Sequence, residues 1–363
     1  MTVDLSSVNY VPVISIRPAE MRAIFELPNR CKDELLPFVI VKPWASALKL
    51  ESAIEQVGKA VGDRPWIADI SAETAALGPR RPVHHEIEAL QDPSDGYKNW
   101  CAFVERYNNI IPCAQISHLN ELPVQIGRLQ ALGRGVVLRL KEGDTGNFSN
   151  IVNAAAEEVE RDNLLIVIDY EQRNKDLLSL SAKATGLLNT LSKRIDGANV
   201  CVSASTFPFE FRGTTNQEIF ERSFYKIISS NKSGTNLIYS DHASTRAESM
   251  QAGGGKIYPR IDYPLDLVWE FRRSIESSNG LPLADKLNLY SELARALMKE
   301  AIWDSRLRLW GVQMIELAAD GDPQGLSTPA RCTAVRINIH LHRQLFYGKP
   351  DDQKYDTEED WSD

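Results

Sequence analysis

Two segments of the chain alternate apolar and ionisable residues in a pattern suited to strands. In Val136-Val-Leu-Arg-Leu-Lys141, the residues Val136, Leu138 and Leu140 supply one apolar face, which leaves Val137, Arg139 and Lys141 on the other. In Leu164-Leu-Ile-Val-Ile-Asp-Tyr-Glu171, Leu164, Ile166 and Ile168 do the same, leaving Asp169 and then Glu171. Cations and carboxylates on neighbouring strands can pair, grip a charged ligand or move a proton. Lys141, Asp169 and Glu171 are therefore the candidate catalytic group, with a carboxylate acting as general base or metal ligand.

The same parity rule puts polar residues at or just beyond the ends of other apolar runs. Arg17, Lys42, Asp69, Gln115, Arg139, Ser203, Ser205 and Asp241 are the candidate ligand-binding residues, and Ser71 and Ser117 obey the rule as well. Four of these groups are cations (Arg17, Lys42, Arg139, Lys141) and four are carboxylates (Asp69, Asp169, Glu171, Asp241). A buried charge without a partner costs several kcal/mol, so such a set must either form a salt-bridge network or bind something. In the second case the cations would hold the phosphate or carboxylate of a small anionic ligand. A divalent metal on Asp69, Asp169 and Asp241 would suit the preference of hard cations for oxygen, although no spacing motif supports it. The residues identify no organic cofactor.

The remaining reactive side chains carry less. His84-His85 and His118 could reach the same region, but a lone loop histidine is more often solvated. His340 and His342 stand two apart, on different sides of a helix, which argues against a shared zinc site. Trp44 and Phe207-Pro-Phe209 follow strand ends and could stack on a ring, although loop packing is their commoner use. The five cysteines, Cys31, Cys101, Cys113, Cys201 and Cys332, show no CxxC pair and read as reduced, mostly buried thiols.

What must position the charged set is a series of short β-branched runs separated by helical patterns: 10–16, 38–41, 66–70, 111–116, 136–140, 164–168, 200–204 and 237–239. That alternation predicts an α/β fold, a (β/α)8 TIM-like barrel with a helical C-terminal extension. An open doubly wound sheet has the same order of elements, but eight evenly spaced strands favour closure, which removes exposed edges. In the barrel, the charged parity points into the lumen and gathers at the C-terminal mouth, where enzymes of this architecture keep their active sites.

A helix is expected from Ala19 to about Glu34. The stretch Gly78 to Gly96, rich in Pro, His and Gly, reads as a loop, and Gly253-Gly-Gly255 as a flexible loop without a nucleotide-binding context. The barrel is expected over 1–273, with short extended pieces at 256–264 and 267–271. A polar linker and helices packed on the barrel (287–302, 310–319, 329–347) follow over 274–348, then a disordered acidic tail over 349–363.

Length and composition set limits. The 363 residues, 43% hydrophobic and 25% charged, supply a sizeable core. A net charge of -8 and the lack of a Lys/Arg-rich run argue against general nucleic-acid binding. The first nine residues lack a signal-peptide pattern and no segment approaches a membrane span, so the expected location is cytoplasmic, with no membrane partner.

Several stretches in a fixed order resemble the phage-associated beta protein family. They are Tyr10-Val-Pro-Val-Ile, Glu26-Leu-Pro, Leu36-Pro-Phe-Val-Ile, Ser205-Thr-Phe-Pro, Tyr239-Ser-Asp-His, Trp310-Gly311, Ala318-Ala-Asp-Gly and Ile337-Asn-Ile-His-Leu-His. Together they cover most of residues 10–345. The resemblance implies a prophage-encoded protein, a component of an antiphage defence system whose partners are proteins of the same cassette. It brings no catalytic residue with it. Two functional expectations result: an enzyme acting on a small phosphorylated or nucleotide-like ligand, or a non-catalytic sensor or interaction protein in a defence or toxin-control complex.

Overall fold

A computed structural model describes residues 3–70, 80–231, 234–247 and 255–355. Its strands, in chain order, are β1 (Tyr10–Ser15), β2 (Phe38–Val41), β3 (Trp66–Ile70), β4 (Ile110–Ala114), β5 (Val136–Lys141), β6 (Leu164–Gln172), β7 (Ala198–Ser205), β8 (Asn216–Glu218), β9 (Thr235–Asp241), β10 (Arg260–Pro264) and β11 (Val268–Arg273). Strands β1 to β7 and β9 are all parallel and close into an eight-stranded barrel, with β9 pairing back onto β1 through Tyr239 opposite Tyr10. The expected α/β barrel is the observed fold.

The helices are α1 (Pro18–Phe25), α2 (Asn29–Glu34), α3 (Glu51–Val61), α4 (Pro82–Leu90), α5 (Ser94–Glu105), α6 (Leu122–Gln130), α7 (Phe148–Glu158), α8 (Ser181–Arg194), α9 (Phe220–Asn231), α10 (Leu283–Met298), α11 (Trp310–Asp320), α12 (Pro329–Leu345) and α13 (Asp351–Tyr355). Helices α3 to α9 belong to the barrel unit, which comprises the described residues of 1–17, 33–207 and 220–248. Each presents an apolar stripe, as in α3, where Ala53, Ile54, Val57, Ala60 and Val61 are buried. The lumen is filled from the opposite parity of the strands by Val11, Val13, Phe38, Ile40, Ile67, Ile111, Cys113, Val137, Leu165, Val167, Cys201 and Ile238. Below the mouth, the barrel is a packed core.

Two expectations about local structure change. The segment read as a loop between residues 78 and 96 contains α4: Pro82 occupies its first turn, where a missing N–H costs nothing, and Val83, Ile87 and Leu90 bury one face. Gly78 lies outside the described residues, as do Gly253 and Gly254 of the expected glycine loop. The single helix expected from Ala19 is two helices, α1 and α2, because Pro28 cannot continue the first.

The second unit is assembled from three stretches, Pro18–Lys32, Pro208–Ile219 and the described residues from 255 onward. The extended pieces expected at 256–264 and 267–271 are β10 and β11, an antiparallel pair joined by β8, which the sequence reading missed. Helix α12 is buried on nearly every side and packs with α1 and α11. Three of its polar residues are paired within the unit: Arg336 reaches Asp262 at 2.6 Å, Asn338 donates to the Ala23 carbonyl at 3.0 Å, and Arg343 reaches Asp266 at 3.2 Å. Gly311 permits the close approach of α11, since a Cβ there would stand 2.8 Å from Ile339 Cγ1 and 2.9 Å from the Val335 oxygen. The tail expected to be disordered from 349 begins instead with helix α13, whose Lys354 and Tyr355 bond Asp266 and Asp304. Among the described residues, no helix is long and apolar enough to cross a membrane.

Candidate functional site

The lumen-facing parity of β3, β5 and β6 ends in charge. Arg139 Nη1 donates to Asp69 Oδ2 at 3.0 Å, and its Nε and Nη2 grip Asp169 Oδ2 at 2.9 and 2.6 Å. The other Asp169 oxygen accepts from the Glu171 backbone N–H at 2.8 Å and lies 2.9 Å from His242 Nε2. Asp169 has no exposed surface and His242 is 3% exposed. Burial opposes ionisation of Asp169, but His242, Arg139 and the hydrogen bonds outweigh it and hold this carboxyl well below the usual range. Arg139 shows the mirror image: burial works against its charge, and the two aspartates more than restore it.

The backbone around the network is held in uncommon conformations. A register shift in β6 between Asp169 and Gln172 leaves Glu171 at φ 53°, and beyond β9 both Ala243 and Ser244 are left-handed, at φ 49° and 57°. The turn after His242 is tied by Thr245 N–H to the His242 carbonyl (2.8 Å) and by Ser205 Oγ to the Thr245 carbonyl (2.5 Å). Left-handed non-glycine residues persist only where surroundings enforce them, and they collect at functional sites. Further along the same strands, Lys141 Nζ and Glu171 Oε1 pair at 2.6 Å with both side chains about 40% exposed, being 43% and 41% accessible.

The sequence-derived set divides accordingly. Asp69, Arg139 and Asp169 meet in the buried network, and Lys141 and Glu171 meet in the exposed pair. Although Lys141 and Asp169 are register partners, their side chains bond other residues. Among the described residues, the buried Ser203 hydroxyl on the lumen parity has no hydrogen-bond partner, nor has the buried Gln115 side-chain nitrogen, while the Gln115 backbone is held by Gln125. The Ser205 hydroxyl is committed to the Thr245 turn. Arg17 and Lys42 are half-buried at the ends of β1 and β2, and neither is free of partners.

Asp241 does not join them. It faces the opposite side of the sheet, where it accepts from Tyr10 Oη at 2.6 Å, Tyr239 Oη at 2.9 Å and the Ala243 N–H at 2.8 Å, beside α9. The three-aspartate metal set is therefore not assembled, and the Arg139 guanidinium occupies the place between Asp69 and Asp169. What the sequence reading missed is His242. Run 237–239 is in fact the longer β9, and counting by twos from the lumen residue Ile238 leads through Ser240 to His242.

Other candidates lie elsewhere. His84 Nδ1 accepts the Arg81 N–H at the start of α4, His85 is exposed beside Glu88, and His118 faces the Tyr97 hydroxyl. Phe207 is buried and Phe209 exposed, Trp44 is half-buried, Ser117 is exposed, and Ser71 lies outside the described residues. Cys113 and Cys201 are lumen core residues whose thiols burial pushes up, away from the reactive thiolate.

Fold and site together define a (β/α)8-barrel protein with a buried Asp–Arg–Asp–His network at the barrel mouth. The chain belongs to the Beta protein family, whose model matches residues 10–346. It is 25% identical over 358 residues to Protein beta of Enterobacteria phage P4, a match covering 95% of each chain.

Proposed function

We propose that the barrel mouth binds a small anionic ligand and that His242, oriented by the ionised Asp169, handles a proton there. Lys141, released from Glu171, would hold the ligand's phosphate or carboxylate, and Glu171 is the solvent-facing carboxylate able to act as base. Arg139 is a positioning residue: by fixing Asp169 it orients the His242 ring, as a carboxylate orients a histidine in acid–base sites. The observation that carries this reading is a half-exposed Lys141–Glu171 pair further along the same strands than a buried Asp169–His242 contact, with a Ser203 hydroxyl and a Gln115 side-chain nitrogen that have no partner among the described residues. We propose an antiphage defence setting for the protein, as its resemblance to the family implies.

A second reading, favoured by the complete pairing of Arg139, is that the charges only fill the upper barrel. Small molecules released from the purified, denatured chain and weighed by mass spectrometry separate the two. The expected result is a discrete anionic compound from the wild type and at least tenfold less from Lys141→Ala. Melting should change little between the two once both are ligand-free, since an exposed pair is worth about 1 kcal/mol or less. No compound from the wild type, or equal amounts from both, would favour the structural reading.

A further inference from the structure

A cavity of about 610 Å³ in the second unit takes no part in the barrel-mouth site, and its chemistry is distinct. Its lining includes four cations, Arg212, Lys256, Arg260 and Arg273, against two carboxylates, Glu210 and Asp262. Asp262 is already bonded by Arg260 at 2.5 and 2.9 Å and by Arg336 at 2.6 Å. Among the described residues, Arg212, Lys256 and Arg273 have no carboxylate partner. In a chain whose net charge is -8, an unneutralised basic pocket marks a place where an anion is favoured.

The pocket is also lined with planar groups. The Arg260 guanidinium lies 3.3 Å from the centre of the Phe211 ring, and that of Arg273 lies 4.3 Å from the centre of Tyr258. Guanidinium and aromatic planes are the surfaces on which unpaired bases stack. A third contribution comes from α12, a 17-residue helix capped by Thr328, whose amino-terminal part, through Pro329, Cys332 and Thr333, forms part of the wall. The amino end of a helix carries partial positive charge and favours phosphate.

We propose that this cavity binds a small phosphorylated compound bearing a planar ring, of nucleoside monophosphate type. The phosphate would be held by Lys256, Arg212 and Arg273 near the start of α12, and the ring would lie against the Tyr258 side. A lone phosphate would leave most of the volume empty, since ligand pockets of roughly 300–1,000 Å³ take molecules of drug size. A polynucleotide is disfavoured because the rest of its backbone would meet an acidic protein.

Calorimetric titration of the full chain with AMP, GMP, CMP and UMP at low salt tests the assignment. At least one should bind saturably, with adenosine or inorganic phosphate at least tenfold weaker. The exposed substitutions Lys256→Ala and Arg273→Ala, made together, should weaken binding at least tenfold without altering melting. Absence of saturable binding by all four nucleotides would overturn the proposal, as would undiminished binding in the double variant. Inorganic phosphate binding as tightly as the nucleotides would remove the ring's role, and tighter binding of a short single-stranded oligonucleotide would assign the surface to a strand instead.

Discussion

Arg139→Met is expected to destabilise the barrel by roughly 3–5 kcal/mol, because it strands two buried carboxylates that a single guanidinium now neutralises. For a unit of this size, that corresponds to a drop in Tm on the order of 10 °C. The pH dependence identifies the cause. In the wild type, Asp169 is held below its unfolded value of 3.8, so the stability it supplies is present above that pH and is lost only as the pH falls further. Without Arg139 that hold weakens, and protonation of Asp169 relieves the penalty. Denaturant unfolding should therefore show a larger deficit at pH 7.5 than at pH 4.5. A deficit under about 1 kcal/mol, or one equal at the two pH values, would mean that the network carries little of the barrel's stability.

The opposite sign is expected at Glu221. This residue of α9 is buried against the Thr206 backbone N–H and hydroxyl, and its carboxyl is pushed up to about 8 by burial, opposed by the Thr206 hydrogen bonds and reinforced by nearby Asp241. The folded chain therefore keeps a proton that the unfolded chain releases near its ordinary value of 4.5. Stability from this group is complete below that value and falls as the pH rises towards 8, by up to roughly 1.4 kcal/mol per pH unit. Glu221→Gln retains an acceptor for the Thr206 N–H and a donor for its hydroxyl but has no charge to bury. The variant should match the wild type near pH 5 and exceed it by about 3–5 kcal/mol at pH 9 in denaturant unfolding. A difference that does not change with pH would show that Glu221 is not the titrating group.

The barrel was legible because each strand is a short β-branched run between helical patterns, and because a strand's period of two assigns its faces. Asp69, Arg139, Asp169, Ser203 and Gln115 lie on the lumen parity for that reason. The rule failed at the end of β9, where an apolar run of three residues hid a seven-residue strand and directed attention to Asp241, which faces outward, over His242, which faces the lumen. Apolar periodicity marks the end of a strand poorly once its residues turn polar. Nor does it say what covers a buried face: α1 and α12 pack together across more than 300 positions of sequence, and no local pattern joins 18–32 or 208–219 to the C-terminal helices. Helix α4 was hidden for a different reason, since Pro82 signals a loop until it is recognised as a first-turn residue.

The barrel-mouth assignment meets its sharpest trial in high-resolution crystallography of the full chain purified with its bound small molecules retained. The expected result is density for an anionic molecule within hydrogen-bonding distance of Lys141 Nζ and in contact with His242, with Arg139 still bridging Asp69 and Asp169. A mouth filled by ordered water alone, with Lys141 closed onto Glu171 in every copy, would contradict it.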